Sequence, residues 1–451
     1  MNKHVRWLHE QLPVWVTQSA ISSAQADAIR RLYPEPKAAL PWGMLIFSGI
    51  GAVVIGLGVI LLLAYNWQAI PKFGKLGLIF GTLLVAHASG LRLLQAADWR
   101  RQLGEALSVL GTMLFGAGIW LVAQVYHIDE HYPNGFLLWG LGALTLAWAL
   151  PSVAQGVLAA AALTIWGGTE NFGFGTAVHW APLLLAVGVG GLAWKERSRL
   201  LLAVVLAGFY FLLLTNSTQG RGVLAFPTAM NTSVLLVALG GFAGRSTRFP
   251  DSAGILRFFG WTGFLVVAYL LSFHDVAEDA LRWHEHLVTD RRWLWSSLAL
   301  YGWLPFTLAM AAWGWTAVSA RTRRRETGGA LSEQWLLPLT ALLTQVLAVA
   351  LPLIGEGIQE TSGVTVAGIF NLISLAVAGM WMARGCREGE LRPVILGSLL
   401  LLALVAARYF DLFESLALRG LVFLIVGGVL FAEGFFYRRA CQRVEQRRGQ
   451  P

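Results

Sequence analysis

The chain has 451 residues, of which 56% are hydrophobic and only 13% are charged, and it carries a formal net charge of +9. Soluble domains have about 45–50% apolar and about 25% charged residues, so this chain could not cover a water-facing surface with polar groups. The positive charge comes without the aromatic and basic motifs of RNA or DNA recognition and indicates no nucleic-acid partner. The only two cysteines, Cys386 and Cys441, argue against a disulfide framework.

The first 40 residues are polar and amphipathic, and they lack the apolar core and cleavage site of a signal peptide. Ser22 is followed three residues later by Gln25, which is the spacing of a capping box at a helix start. Apolar residues then recur at helical spacing, and Pro34 and Pro36 end the helix. We expect residues 1–40 to form a small cytoplasmic amphipathic helical module that lies on the membrane surface or on a helical bundle.

Apolar runs follow one another along the rest of the chain. A hydrocarbon core of ~30 Å is crossed by about 17–25 helical residues. The runs lack the alternation of barrel strands, so only helices could satisfy their backbone in lipid. The sequence therefore predicts an all-α, polytopic transmembrane bundle of about 14 spans, at residues 43–65, 76–94, 103–125, 135–150, 152–167, 178–194, 200–215, 223–243, 255–273, 293–318, 335–355, 364–383, 393–407 and 417–437.

Pro151 divides an apolar stretch that would otherwise be a single segment, 135–167. As one helix this stretch would measure about 50 Å at ~1.5 Å per residue, which is too long for a bilayer. We therefore predict two short spans joined by a tight turn at Pro151 and Ser152.

The positive-inside rule orients the predicted bundle. With a cytoplasmic N-terminus, about three quarters of the 34 Lys and Arg residues lie in cytoplasmic segments or beside them. Both cysteines fall on the same, reducing side. We predict that both termini are cytoplasmic, and that the 1–40 module is followed by a membrane region at 41–167 with about five spans and another at 168–451 with about nine.

Polar residues within the predicted spans are candidates for function because they are costly in lipid. These residues are His87, Gln124, Gln155, Gln345, Asn371 and Glu433. Glu433 is close to Arg438 and Arg439 and can reach the cytoplasmic surface, while His87 and the amides suit interhelical hydrogen bonds. The scarcity of buried carboxylates argues against a proton-coupled pump.

Three loops that the predicted topology places outside are richer in polar residues. Their candidate functional residues are Asn66 and Trp67 in the first, Gln124, Tyr126, His127, Asp129 and His131 in the second, and Arg408, Tyr409 and Asp411 in the third. Histidines four residues apart on one helix can share a metal. Loop histidines beside tyrosines more often form hydrogen bonds, so we assign neither a metal nor a cofactor.

Four sequence features also point to a known family. They are the segment 20–26 with Ile29, Asn66 with Trp67, the segment 114–117 and the segment 124–127. The chain resembles, over about residues 1–165, a family of bacterial predicted membrane proteins catalogued as domain of unknown function 2157, and the segment 408–411 is similar to sequence near the end of its long members. The resemblance implies a bacterial inner-membrane location and a separate partner protein with a Gly-Asp-Tyr type motif, and it carries no established activity.

Three classes of function are then open. The span number favours a transporter or permease-like protein for an unknown small solute. A coarse pattern shared by the first and third loops supports the same class: a Tyr is followed by polar and aromatic residues and then by Lys75 and Gly77 or by Arg419 and Gly420. The alternative is a non-transporting envelope scaffold or sensor that acts through its outer loops and a partner protein. An intramembrane enzyme or metal protein would depend on the loop histidines alone, because the sequence has no phosphate loop, zinc-protease motif or nucleophile elbow.

Overall fold

The computed structural model describes residues 2–33, 70–96, 99–128, 131–218, 224–281, 298–321, 331–354, 359–411, 424–429 and 432. In these residues the chain is helical apart from short turns, and no strand occurs among them. The predicted all-α fold is therefore confirmed for the described residues. The chain divides into two compact units, Met1–Leu78 and Ile79–Pro451.

The first unit begins with two helices, α1 (Asn2–Thr17) and α2 (Ser23–Leu32). The predicted capping box is present at the start of α2: the Gln25 backbone N–H donates to Ser22 Oγ at 3.3 Å, and the Ser22 N–H donates to Gln25 Oε1 at 2.9 Å. Leu12 in α1 and Ala26 in α2 are buried. Pro34 and Pro36 lie outside the described residues.

Fourteen α-helices, most of them long, account for most of the remaining described chain. They are α3 (Lys72–Leu94), α4 (Trp99–Tyr126), α5 (Pro133–Ala149), α6 (Val153–Phe174), α7 (Ala181–Leu184), α8 (Gly190–Lys195), α9 (Arg199–Thr218), α10 (Ala225–Ala243), α11 (Ser252–Leu271), α12 (His274–Leu281), α13 (Leu304–Arg321), α14 (Leu331–Ile354), α15 (Gln359–Glu388) and α16 (Leu391–Asp411). Two π-helical segments interrupt this series: π1 (Leu185–Val189) joins α7 to α8, and π2 (Leu298–Trp303) precedes α13.

Six helices among the described residues are long and apolar enough to cross a membrane. They are Lys72–Leu94, Arg100–Tyr126, Arg199–Ser217, Ala225–Ala243, Ser252–Leu271 and Gly363–Glu388. Where the structure describes them, the spans predicted between 76–94 and 393–407 are mainly helical, although residues 223, 293–297 and 355 of three of them lie outside the described residues. The predicted span 43–65 lies outside the described residues, and 417–437 lies largely outside them.

The helix break predicted at Pro151 is present, because α5 ends at Ala149 and α6 begins at Val153. Ser152 caps α6: its Oγ accepts a hydrogen bond from the Gln155 backbone N–H at 3.3 Å and donates to Glu105 Oε1 at 2.7 Å. The two helices then pack closely through small side chains, which allow short distances between backbones. The buried alanines of this interface are Ala143, Ala147, Ala159 and Ala160.

From α4 to α11, successive helices run in opposite directions when α7, π1 and α8 are counted as one run, as contacts between helix termini show. At one end, Glu105 near the start of α4 meets Ser152 before α6, and Arg199 at the start of α9 forms an ion pair with Asp251 before α11. We call this the Arg199 end. The Glu170 end, at the opposite side of the bundle, contains the C-termini of α6 and α9 and the N-terminus of α5, and it holds the candidate site.

Candidate functional site

A buried carboxylate and a histidine form the centre of the candidate site. Glu170 lies in the last turn of α6 and is 6% exposed, and His131 lies two residues before α5. The His131 Nε2 atom is 2.9 Å from both carboxylate oxygens of Glu170. A buried carboxylate is stable only when it is paired, so His131 compensates the burial of Glu170.

The end of α6 brings Glu170 to this position. Gly175 ends the helix with a φ of 64°, a conformation that glycine adopts without strain. Its N–H donates to Asn171 O, and the Thr176 N–H donates to Glu170 O at 3.0 Å. Phe174, one residue earlier, packs its ring edge-on against the His131 ring at 4.1 Å between centroids. Glu170 and Phe174 therefore fix the His131 ring together.

His131 also lines a cavity of about 750 Å³ between α3, α4 and α5. The walls are mostly aliphatic and aromatic, and the polar groups of His131, Tyr132 and Asn134 lie close together in the chain, before and at the start of α5. The lining residues are Ile79, Phe80, Leu83, Phe115, Gly118, Ile119, Trp120, Val122, Ala123, Ile128, His131, Tyr132, Asn134, Gly135 and Leu138. An apolar cavity with a few convergent polar groups is the usual form of a small-molecule site.

A second group of buried polar residues follows Glu170 along α6. Asn171 Nδ2 donates to Asn216 Oδ1 on α9 and to Thr215 Oγ1, both at 3.3 Å. The Asn216 amide pairs with the backbone of Val178: its Oδ1 accepts from the Val178 N–H at 2.7 Å, and its Nδ2 donates to Val178 O at 3.2 Å. The loop between α6 and α7 is thereby joined to α9.

The polar contacts continue into the second half of the bundle through the π2 segment. His179, next to Val178, has its Nδ1 atom 2.5 Å from the Tyr301 hydroxyl. Thr228 on α10 donates to Tyr301 O at 3.0 Å, and Asn231 donates to Gly302 O at 3.3 Å. A π-helical turn shifts the usual pairing of carbonyl oxygens, and such turns are frequent at functional sites.

Asn231 and two of the predicted intramembrane candidates form hydrogen bonds between helices. Asn231 Nδ2 donates to Gln345 Oε1 at 3.0 Å. Asn371 Nδ2 donates to Ser272 O at 3.0 Å and to Ala367 O at 2.8 Å. The third candidate, His87, packs against α4, where a Cβ added at Gly111 would lie 2.8 Å from its ring. Their positions join helices, which is a common role of polar residues in membrane bundles.

Of the described candidate residues in the second predicted loop, only His131 belongs to the candidate site. Gln124 and Tyr126 are exposed in the last turn of α4, and His127 follows with a φ of 54°. Because α4 ends at Tyr126, His127 and His131 do not share a helix, and the helical i,i+4 spacing does not apply to them. No group of three or more His, Cys, Asp or Glu residues suited to a metal occurs among the described residues.

Several predicted site residues lie outside the described residues or on the edge of them. Asn66, Trp67, Asp129 and Glu433 are not described, and Arg408, Tyr409 and Asp411 are described only as the end of helix α16. Their proposed roles stay predictions.

Glu170 is not among the candidates predicted from the sequence, because the span predicted at 152–167 ends before it. A signal was nevertheless present: Glu170 is the only Asp, Glu, Lys or Arg between Glu130 and Lys195. A single carboxylate in so long an apolar segment is a candidate for burial and function. Asn216 and Asn231 likewise lie in apolar segments, where an amide needs a partner.

Residues 13–156 match a family described as "Predicted membrane protein (DUF2157)". The resemblance seen in the sequence is therefore confirmed over these residues. The matched range contains all residues that line the cavity, while Glu170 lies beyond it. Neither the curated proteins nor the solved structures include a match to the chain. The family match and the long apolar helices identify a membrane protein.

Proposed function

We propose that this membrane protein is permease-like and takes a small amphiphilic molecule, an apolar body with one neutral polar end, into the cavity between α3, α4 and α5. The observation that carries the proposal is the position of His131 among the residues that line this cavity, with its Nε2 atom held by the buried Glu170. Volume supports it as well, because small-molecule sites measure about 300–1,000 Å³ and this cavity measures about 750 Å³.

The cavity walls favour an occupant that comes from the lipid. Two of the walls belong to helices long and apolar enough to cross a membrane, Lys72–Leu94 and Arg100–Tyr126. Apolar side chains such as Phe80, Leu83 and Ile119 line them. An alkyl or terpenoid chain would bury apolar surface against these side chains, at about 25 cal/mol per Å² removed from water.

The polar end of the cavity favours a neutral group, such as a hydroxyl or an amide. An anion would be repelled by Glu170, and a cation would compete with His131 for the same carboxylate. A hydroxyl can instead accept from the Asn134 amide or the Tyr132 hydroxyl without disturbing the contact between His131 and Glu170. We therefore place a long-chain alcohol or amide, rather than a fatty acid or an amine, in the cavity.

The chain also has a proposed membrane location and orientation. We propose a bacterial inner membrane, about 14 spans and both termini in the cytoplasm, because the Lys and Arg residues are biased to one side and the helices alternate in direction. The Glu170 end then faces the outside. A membrane-impermeant maleimide tests this orientation: it should label Cys386 and Cys441 in inside-out vesicles, and labelling of these cysteines in intact cells would reverse it.

An envelope scaffold or sensor is the second candidate function. The observation that favours it is a set of exposed apolar and aromatic side chains at the Glu170 end, namely Tyr126, Ile128, Tyr132, Phe172 and Trp180. On this alternative, these side chains bind a separate membrane or envelope protein, for which the family resemblance suggests a Gly-Asp-Tyr type motif. The N-terminal helical module would then relay the event to the cytoplasm.

Photolabelling of the full chain in proteoliposomes tests the cavity. The probe is a dodecanol with a photoactivatable diazirine in its chain, and labelled peptides are mapped by mass spectrometry. We expect labels on the α3 and α4 walls in the wild type and their loss in Ala123→Phe, which fills the cavity. Val187→Phe is the matched control, because Val187 is 65% exposed on π1, away from the cavity. Equal labelling of Ala123→Phe and the wild type would contradict the proposal.

Movement of a fluorescent long-chain alcohol separates the two candidate functions. A permease-like protein should speed its transfer across the proteoliposome membrane, and Ala123→Phe should lose this effect while Val187→Phe retains it. If the cavity is labelled but transfer stays at the rate of protein-free liposomes, the scaffold or sensor function is favoured instead.

A further inference from the structure

A second polar centre lies between α10, α14 and the π2 segment, away from the His131 cavity. It consists of the amides of Asn231 and Gln345 and the carbonyl group of Gly302. Asn231 Nδ2 donates both to Gln345 Oε1 at 3.0 Å and to Gly302 O at 3.3 Å. Asn231 is 0% exposed and Gln345 is 2% exposed, so the centre is closed to solvent.

Each of the two amides uses only one of its polar atoms in this arrangement. Within the part of the chain that the structure describes, Asn231 Oδ1 and Gln345 Nε2 have no hydrogen-bond partner. Met230, next to Asn231 in the chain, and Ala341, one turn before Gln345 on α14, are fully buried apolar residues. An unpaired buried polar atom is costly, and such atoms in a native protein are generally satisfied by a ligand or an ordered water.

The two atoms require a group that is both a donor and an acceptor. Asn231 Oδ1 can only accept hydrogen bonds, and the Gln345 Nε2 group, which carries two N–H donors, can only donate them. Both atoms belong to amides that are already in contact, since Asn231 Nδ2 and Gln345 Oε1 are 3.0 Å apart. A metal cation does not fit, since the Gln345 N–H group would point its positive end at it. A hydroxyl fits, because it accepts one hydrogen bond and donates another.

From these contacts we propose that the Asn231–Gln345 centre binds one hydroxyl group, which accepts from Gln345 Nε2–H and donates to Asn231 Oδ1. The hydroxyl comes either from an ordered water or from a small polyol. This proposal is independent of the His131 cavity, and it would still hold if no molecule bound in that cavity. The π2 segment contributes by placing Gly302 O where it fixes the Asn231 amide, so that Oδ1 remains available.

High-resolution cryo-electron microscopy of the full chain in lipid nanodiscs tests the site directly. We expect a density peak at hydrogen-bond distance, about 2.7–3.2 Å, from both Asn231 Oδ1 and Gln345 Nε2. A map without this peak overturns the proposal. This measurement uses the wild-type chain and does not require a variant to fold.

Thermal unfolding with glycerol as the probe then separates the two sources of the hydroxyl. Gln345→Met keeps the side-chain length but removes both amide atoms. If a polyol binds, glycerol raises the Tm of the wild type more than that of Gln345→Met. If water binds, the peak is present and glycerol raises both values equally. Asn371→Leu is the matched control, because it removes an interhelical amide bonded to backbone carbonyls elsewhere, and it should keep the full wild-type response to glycerol.

Discussion

The two ends of the bundle use polar side chains in different ways. The ion pairs Arg199–Asp251 at the Arg199 end and Arg384–Glu388 at the C-terminus of α15 are about half exposed, and such pairs contribute little to stability. At the Glu170 end, the Glu170 carboxylate and the Asn216 amide are almost fully buried and are held by specific partners. Charges at the first end suit the orientation of helices in a membrane, whereas buried groups at the second fix the positions of particular atoms.

The largest effect of removing a buried polar group at the Glu170 end is expected at Asn216. Asn216→Leu removes the partners of the buried Val178 N–H and C=O, and each unsatisfied group costs about 1–3 kcal/mol. We therefore expect a loss of roughly 3 kcal/mol or more in the free energy of unfolding, measured by denaturant titration in bicelles. Gln102→Leu is the matched control, because Gln102 is exposed on α4 and its loss should change little. An equal effect of both substitutions would remove the distinction between buried and exposed amides.

Glu170 offers the next largest effect. Glu170→Gln conserves shape but leaves His131 without a charged partner, which we expect to lower the free energy of unfolding by about 1–3 kcal/mol. The same substitution should weaken photolabelling of the cavity, because the His131 ring loses its fixed orientation. Glu388→Gln is the corresponding change in an exposed pair, and we expect stability and labelling to stay at wild-type values. If Glu388→Gln lowers the free energy of unfolding as much as Glu170→Gln does, burial does not explain the difference between the two carboxylates.

Two glycines on α11 allow the polar effects at the two ends to be compared with a purely steric effect. A Cβ added at Gly260 on α11 would lie 2.7 Å from Ser233 O on α10, so Gly260→Ala must push the helices apart. We expect a loss of about 1–2 kcal/mol, as for overpacked cores. At Gly254 on the same helix no described atom lies within 4 Å of the added Cβ, and Gly254→Ala should be neutral or stabilising by up to ~1 kcal/mol. The two variants are compared by thermal unfolding, and the opposite order would contradict the packing.

The smallest effect is expected at the exposed ion pair of the Arg199 end. Arg199→Gln removes the partner of Asp251, but both side chains are open to solvent, so we expect no measurable change in Tm at physiological salt. A fall in Tm as large as that of Glu170→Gln would show that the Arg199 end contributes to stability as much as the Glu170 end does.

The sequence by itself determined the features that depend on neighbouring residues. Apolar runs of helical length located the helices, Pro151 divided α5 from α6, and the spacing of Ser22 and Gln25 located the start of α2. The family resemblance also came from short stretches of sequence. These features could be predicted because helix periodicity, proline geometry and capping act within a few residues.

Only the tertiary structure decided which polar residues meet. His131 and Glu170 are 39 positions apart, Asn231 and Gln345 are 114 apart, and His179 and Tyr301 are 122 apart. Nothing local in the sequence links these residues, because their pairing depends on how the helices pack and on the π-helical turn at Tyr301. Burial then makes each pairing selective, since a polar group removed from water must find its partner within the bundle.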